Sequence, residues 1–243
     1  MLGRVTLGKR RSDEAEKPFW ISFSDLMSAL MVLFLVVMTV ALLSVTQQLR
    51  NVEDAGNQRR EEIGKILINL TDRARNYPQV HVSPEKMTVD FGEVGRFASG
   101  SHVLSPEAVV LIRSFVPEIL EEARTDLGRK WFKRVVAEGF TDTDGSYLPN
   151  LNLSLDRAQR VVCTLLTPVE AGQPSLTDAE MAQVRRLFLV GGFSFNSSKG
   201  SKDESRRVEL RLDFRALNEA PEPVRRGSAA DLASIPVGAC QLR

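Results

Sequence analysis

The chain has 243 residues, 43% hydrophobic and 26% charged, with 32 Lys and Arg against 31 Asp and Glu. That balance lacks the basic excess of a nucleic-acid binder, so no direct nucleic-acid partner is expected. Two histidines (His81, His102) and two cysteines (Cys163, Cys240) are too few and too scattered for a structural zinc site. No Walker-type phosphate loop, dinucleotide fingerprint or H-E-x-x-H helix occurs, and neither histidine has the setting of a catalytic base. The expectation is a protein that is not an enzyme and needs no cofactor or metal.

Hydrophobicity is concentrated near the start. Residues 21–45 form a run of 25 with one ionisable group, Asp25. At ~1.5 Å per residue this is roughly 37 Å of helix, enough to cross a hydrocarbon core of about 30 Å. A cleaved signal peptide would have a shorter apolar region and no carboxylate. Arg4, Lys9, Arg10, Arg11 and Lys17 precede the run, so residues 1–18 are expected to stay cytoplasmic and the rest to be exported. The location expected is therefore the bacterial inner membrane, with a single pass over residues 19–45.

A carboxylate inside a bilayer is costly and persists where it faces a partner or a water-filled path. Ser22, Ser28 and Thr39 fall near the face of Asp25 on a helix, making a narrow polar stripe and the candidate ion path. The alternative is a solvated Asp favoured by the helix start. The run Phe23-Ser24-Asp25-Leu26-Met27-Ser28-Ala29-Leu30-Met31, with Trp20 upstream, resembles the single transmembrane helix of MotB/PomB-type stator subunits. The resemblance implies that Asp25 carries the ion and that the protein is a homodimer inside a ring-forming MotA-like partner.

Residues 46–79 are polar. Leu49, Val52, Gly56, Arg59, Ile63, Ile66 and Leu70 follow steps of three and four, the pattern of a short coiled coil; a flexible tether is the other reading. Beyond Pro78 the pattern becomes mixed. Strands are expected at residues 87–91, 133–138, 187–195 and 208–214. Helices are expected at 105–124, 153–166 and 177–186, with Asn152 capping the second and Leu155, Ala158, Val162 and Leu165 facing inward. The fold class is α+β: a transmembrane helix, a short helical linker over 46–79, an α/β sandwich over 80–214 and a tail over 215–243.

Thr141-Asp142-Thr143-Asp144-Gly145, then Asn150, Leu153-Ser154, Arg157-Ala158 and Val161 fit the pattern TDxxGxxxxNxxLSxxRAxxV without a gap. With Arg206-Arg207-Val208-Glu209-Leu210 and Val89-Asp90-Phe91, this resembles the OmpA-like peptidoglycan-binding domains. A stem-peptide diaminopimelate offers a carboxylate to a guanidinium fork and an ammonium to a carboxylate. The resemblance puts Arg157 and Asp142 in those roles, with Thr141 and Asn150 shaping the loop. Pro149 stands where the family usually has an aromatic. Taken singly, Asp142 and Asp144 also suit a plain turn and Arg157 a solvated helix face.

Cys163 and Cys240 either pair in an oxidising compartment, closing a loop of 77 residues, or are two unrelated buried thiols. The compact proportions, with about 24 residues before Asp25 and roughly 40 from helix to domain, are most similar to the ZorB-type subunits of Zorya anti-phage systems. That likeness implies a ZorA-like ring-forming partner. A flagellar MotB-type stator subunit and a static OmpA-like wall anchor without ion transport are the alternatives.

Overall fold

The computed structural model describes residues 16–167, 174–220, 235–240 and 242. It divides into two compact units, residues 1–57 and 58–243. Helix α1 is Glu16–Ala74. Its first part, in the first unit, contains an 18-residue window of mean hydropathy 2.8 with nothing covering it, and it is long and apolar enough to cross a membrane. Residues 1–15, which hold most of the basic residues used to orient the chain, lie outside the described residues.

The second unit is built on one five-stranded sheet. Its strands are β1 (His81–Ser83), β2 (Thr88–Asp90), β3 (Phe132–Gly139), β4 (Phe188–Gly192) and β5 (Val208–Phe214). The spatial order is β1-β2-β5-β3-β4, antiparallel except for the parallel pair β3 and β4. Val208, Leu210 and Leu212 alternate into the core from β5, while Glu209, Arg211 and Asp213 lie on the other face. The remaining helices are α2 (Pro106–Arg124), α3 (Asp126–Trp131), α4 (Tyr147–Leu166), α5 (Asp178–Leu187) and the short α6 (Lys202–Ser205). Ser105 caps α2 on the N–H of Ala108 with Pro106 in the first turn, and Thr177 with Glu180 forms a capping box on α5.

Three local expectations need correction. Helix α4 starts at Tyr147 with Ser146 at its N-cap, so Asn152 is not the cap but lies inside the helix. Pro149 does not delay the start, because a first-turn residue has no helical acceptor for an N–H. The buried stripe is Asn150, Ser154, Arg157, Ala158, Val161, Thr164 and Leu165, which leaves Leu155 exposed.

The linker is also used differently. Ile63, Ile66, Leu67, Leu70 and Ala74 are buried in the core of the second unit. Ile63, Ile66 and Leu70 are therefore not free to form the later half of a coiled-coil seam, since a side chain buried in its own domain presents nothing to a partner helix. Leu49 and Val52, in the first unit, are exposed. Residues 58–74 thus belong to the folded domain, which starts well before residue 80. Polar contacts hold this segment in place. Arg73 pairs with Glu118 at 2.6 Å and Glu121 at 2.9 Å, and Arg59 Nε donates to the Arg215 carbonyl at 2.8 Å. Glu62 accepts from Lys130 Nζ and Trp131 Nε1, each at 2.5 Å.

Those donors, Lys130 first and then Trp131, hold the Glu62 carboxyl down at about 2 against an ordinary 4.5. A carboxyl depressed on folding adds stability that is complete above its unfolded value and disappears as pH falls through the folded one. The stability difference between wild type and Glu62→Gln in urea unfolding is therefore expected to be full at neutral pH and to shrink from pH 4.5 towards about 2. A difference that stays constant across that window contradicts the linkage.

Candidate ligand-binding loop and membrane carboxylate

Strand β3 ends at Gly139 and delivers the chain into residues 140–146, the loop that precedes α4. The loop is fixed at several points. Thr141 N–H donates to the Ser194 carbonyl at 2.9 Å, and Phe140 N–H to the Arg207 carbonyl at 3.0 Å. Asp142 Oδ1 accepts from the N–H of Asp144 at 3.1 Å, and Asn150 Nδ2 donates to the Asp144 carbonyl at 2.7 Å. Gly145 turns the chain with φ +90°, a conformation that side chains disfavour. Asn150 therefore shapes the loop, through its Asp144 contact. Thr141 is buried, and its hydroxyl has no hydrogen-bond partner among the described residues.

Arg157 lies in the third turn of α4, at 0% exposure, because the helix starts at Tyr147 and not at residue 153 as expected. Any contribution of the helix N-terminus to an anion held by Arg157 is lost at that distance, since the effect fades within one turn. Its guanidinium donates to three carbonyls: Phe140 at 2.6 Å, Ser101 at 2.9 Å and Ala98 at 3.1 Å. It also sits over the Phe97 ring, 5.0 Å from the centroid. Three of its five N–H donors are thus engaged, leaving two. Burial pulls the group down to about 10, with the charge of Asp142 opposing, so it stays charged at neutral pH.

Helix α4 reaches this depth because the sheet beneath it lacks side chains. A Cβ on Gly139 would stand 1.9 Å from the Ser154 carbonyl oxygen, and one on Gly192 2.7 Å from Ser154 Oγ. Ser154 Oγ accepts from the N–H of Ser194 at 3.0 Å, which ties α4 to the end of β4.

Asp142 and Arg157 share this region but do not form an ion pair. The Asp142 carboxylate accepts instead from Arg206 Nη1 at 3.0 Å, while Arg206 Nε donates to the Phe97 carbonyl and Nη2 to Asp203. Burial pushes the Asp142 carboxyl up, but Arg206, the N–H of Asp144 and the charge of Arg157 outweigh it and hold it below the ordinary carboxylate range. Arg206 is the site residue that sequence reasoning left unassigned. Its signal is the Arg206-Arg207-Val208-Glu209-Leu210 run, which in the sequence carries only the family resemblance. Asp144 pairs with Lys202 at 2.7 Å on the rim.

In the first unit, Asp25 is exposed on the uncovered apolar helix. Ser28 Oγ donates to the Ser24 carbonyl at 2.8 Å and Thr39 Oγ1 to the Leu35 carbonyl at 2.7 Å. Both hydroxyl protons are thus engaged within the helix, which leaves the two oxygens as acceptors. Ser22 lies one turn before Asp25. At the far end of the chain, Cys163 on α4 and Cys240 are joined by a disulfide, Cα–Cα 5.7 Å.

Removing the Arg157 side chain leaves three carbonyls without their donor and opens a cavity under the loop. Arg157→Ala is expected to lower unfolding stability by about 3–5 kcal/mol, as three buried acceptors lose their donor and a cavity is left. Arg157→Lys should recover only part of it, since an ammonium lacks the planar fork. Urea unfolding of the full chain in detergent micelles, followed by tryptophan fluorescence, measures both. A loss under ~1 kcal/mol for Arg157→Ala contradicts the structural role.

Comparison with known proteins places the chain. No family model matches it. Among solved structures, it is similar to the cell wall anchor of the type VI secretion system from Pseudomonas aeruginosa, with 21% identity and a TM-score of 0.39 over 61% of this chain and 97% of that one. It is similar to a MotB-like protein from Desulfovibrio vulgaris at 18% identity and a TM-score of 0.38, over 68% and 98% of the two chains. Among curated proteins, the Zorya protein ZorB of Escherichia coli O139:H28 is 48% identical over 212 residues, which is 87% of this chain and 86% of that protein. With nearly half its residues identical along almost the whole of both sequences, the chain belongs to the ZorB family.

Proposed function

We propose that this chain is the wall-anchored B subunit of a cation-driven inner-membrane motor serving anti-phage defence, with protons as the carried ion. The observation that carries the reading is Asp25, the one ionisable residue in the mainly apolar run of 25 residues over 21–45, in a chain 48% identical to a ZorB protein. A carboxylate in lipid needs a partner or an aqueous path, and a static tether has no use for one. In this reading two copies lie side by side within a ring-forming ZorA- or MotA-like subunit, and Asp25 is loaded and unloaded as ions pass. Each charge crossing roughly 100 mV releases ~2.3 kcal/mol. The N-terminus stays cytoplasmic, in keeping with the basic residues before the span, and the second unit lies in the periplasm.

There the loop after β3 holds peptidoglycan. Asp142 is charged and set at the loop, suited to an ammonium, which would take over the position of the Arg206 guanidinium. Arg157 holds the loop backbone and keeps two N–H donors, which a ligand carboxylate reaches by displacing what covers them, with Thr141 and Asn150 giving the loop its shape. The wall then supplies the fixed point against which a partner turns.

Two isosteric variants separate the halves of the proposal. Asp25→Asn is expected to abolish protection in a phage plating assay while membrane insertion and sedimentation with isolated sacculi stay unchanged. Asp142→Asn keeps the loop's shape but not its charge, and should weaken sacculus sedimentation by about tenfold, the worth of one charged hydrogen bond. Full protection with Asp25→Asn decides for a static anchor; unchanged sedimentation with Asp142→Asn removes the loop as the wall site.

A further inference from the structure

A second site lies at the other end of the sheet. The Asp142 loop follows β3, whereas α3 precedes it, so the two ends are separated by a strand of eight residues, roughly 26 Å. At the α3 end, α2, α3 and α5 border an open cleft of about 310 Å³. Its lining residues include three exposed arginines, Arg124, Arg129 and Arg186, one from each helix, together with Gln183, Ala179 and Ala182. The alanines leave the space open.

The cleft has an ordered interior. Gln183 is buried, and its Nε2 donates to the Leu120 carbonyl at 3.0 Å, which leaves its Oε1 to accept from Arg124 Nε at 2.6 Å. Arg124 is held by its Nε, and its terminal nitrogens have no carboxylate among the described residues; the nearby Glu121 is paired with Arg73. Arg186 has no ion pair among the described residues. Arg129 pairs with Asp126, but both side chains are largely exposed, where such a pair is weak.

Each of these arginines is in the last turn of its helix, or one residue from its end, so part of its charge complements a helix dipole. That complement is about half a unit per helix end, and Asp126 beside Arg129 removes one more, so the three charges leave a net excess of roughly +0.5. Guanidinium forks bind oxyanions in paired hydrogen bonds. Three arginines on three different helices suit a tetrahedral group with oxygens on every side better than a flat carboxylate with two.

We propose that the cleft between α2, α3 and α5, lined by Arg124, Arg129 and Arg186, binds a phosphate group. Its source is either a phospholipid headgroup or a soluble phosphate compound. Isothermal titration calorimetry on the full chain in dodecyl-maltoside micelles distinguishes them, at about 0.15 M salt where diffuse attraction is screened beyond ~8 Å. One arm uses inorganic pyrophosphate and the other monomeric dihexanoyl-phosphatidylglycerol. Saturable binding of either probe, weakened about tenfold or more by the double variant Arg124→Gln/Arg186→Gln, is expected. Binding of the lipid alone identifies a headgroup site, and binding of pyrophosphate a site for soluble phosphate. Because Arg124 also holds Gln183, Arg186→Gln alone provides the second reading and must itself weaken binding. A wild-type chain that binds neither probe, or an Arg186→Gln chain that binds as tightly as wild type, overturns the proposal.

Discussion

One buried cation organises the second unit. Arg157 carries its charge into a site with no solvent exposure, and such a transfer costs several kcal/mol unless its donors are met. Here three backbone carbonyls from two separate segments, residues 98–101 and Phe140, meet it, and the Phe97 ring covers its face. Neither segment is regular secondary structure at that point, so the guanidinium does for them what a ladder or helix does elsewhere. The arrangement requires α4 to lie close on the sheet, which Gly139 and Gly192 allow. Arg157 thereby ties the loop backbone to α4, while Arg206 and the N–H of Asp144 act ahead of it on the charge state of Asp142.

The second consequence concerns the chain that enters the domain. Residues 58–74 continue from the apolar segment in sequence, yet they are core elements of the folded unit. Ile63, Ile66 and Leu70 pack inside it, and Glu62, Arg59 and Arg73 fasten it to α3, to Arg215 and to α2. A pull on the chain is thereby carried into buried packing rather than into a loose tether. For a subunit proposed to hold still while a partner moves, this is the mechanical property that matters.

Much of the domain was legible because its signals are local. The cap and first-turn proline of α2 define its start, and the strict alternation of Val208–Phe214 defines β5. What escaped was decided by tertiary contacts. A spacing of three and four suits a coiled-coil seam and the buried face of a lone helix equally, so the use of Ile63 and Ile66 depends on what packs against them. Strand β1 is three residues long and α3 six, too short for periodicity to register. At the site, spacing brought Asp142 and Arg157 to one region but could not show which cation the carboxylate holds. Arg206 is 64 residues away in sequence and reaches it only through the fold.

The account rests on Asp25 as a carrier of cations through the membrane. The direct measurement is ion flux across liposomes in which the full chain is reconstituted with the ring-forming partner proposed for it, under an imposed potential, comparing wild type with Asp25→Asn. The account predicts flux through the wild-type complex that falls to the level of empty liposomes in the variant. Equal flux in the two, or none in either from a correctly assembled complex, contradicts it.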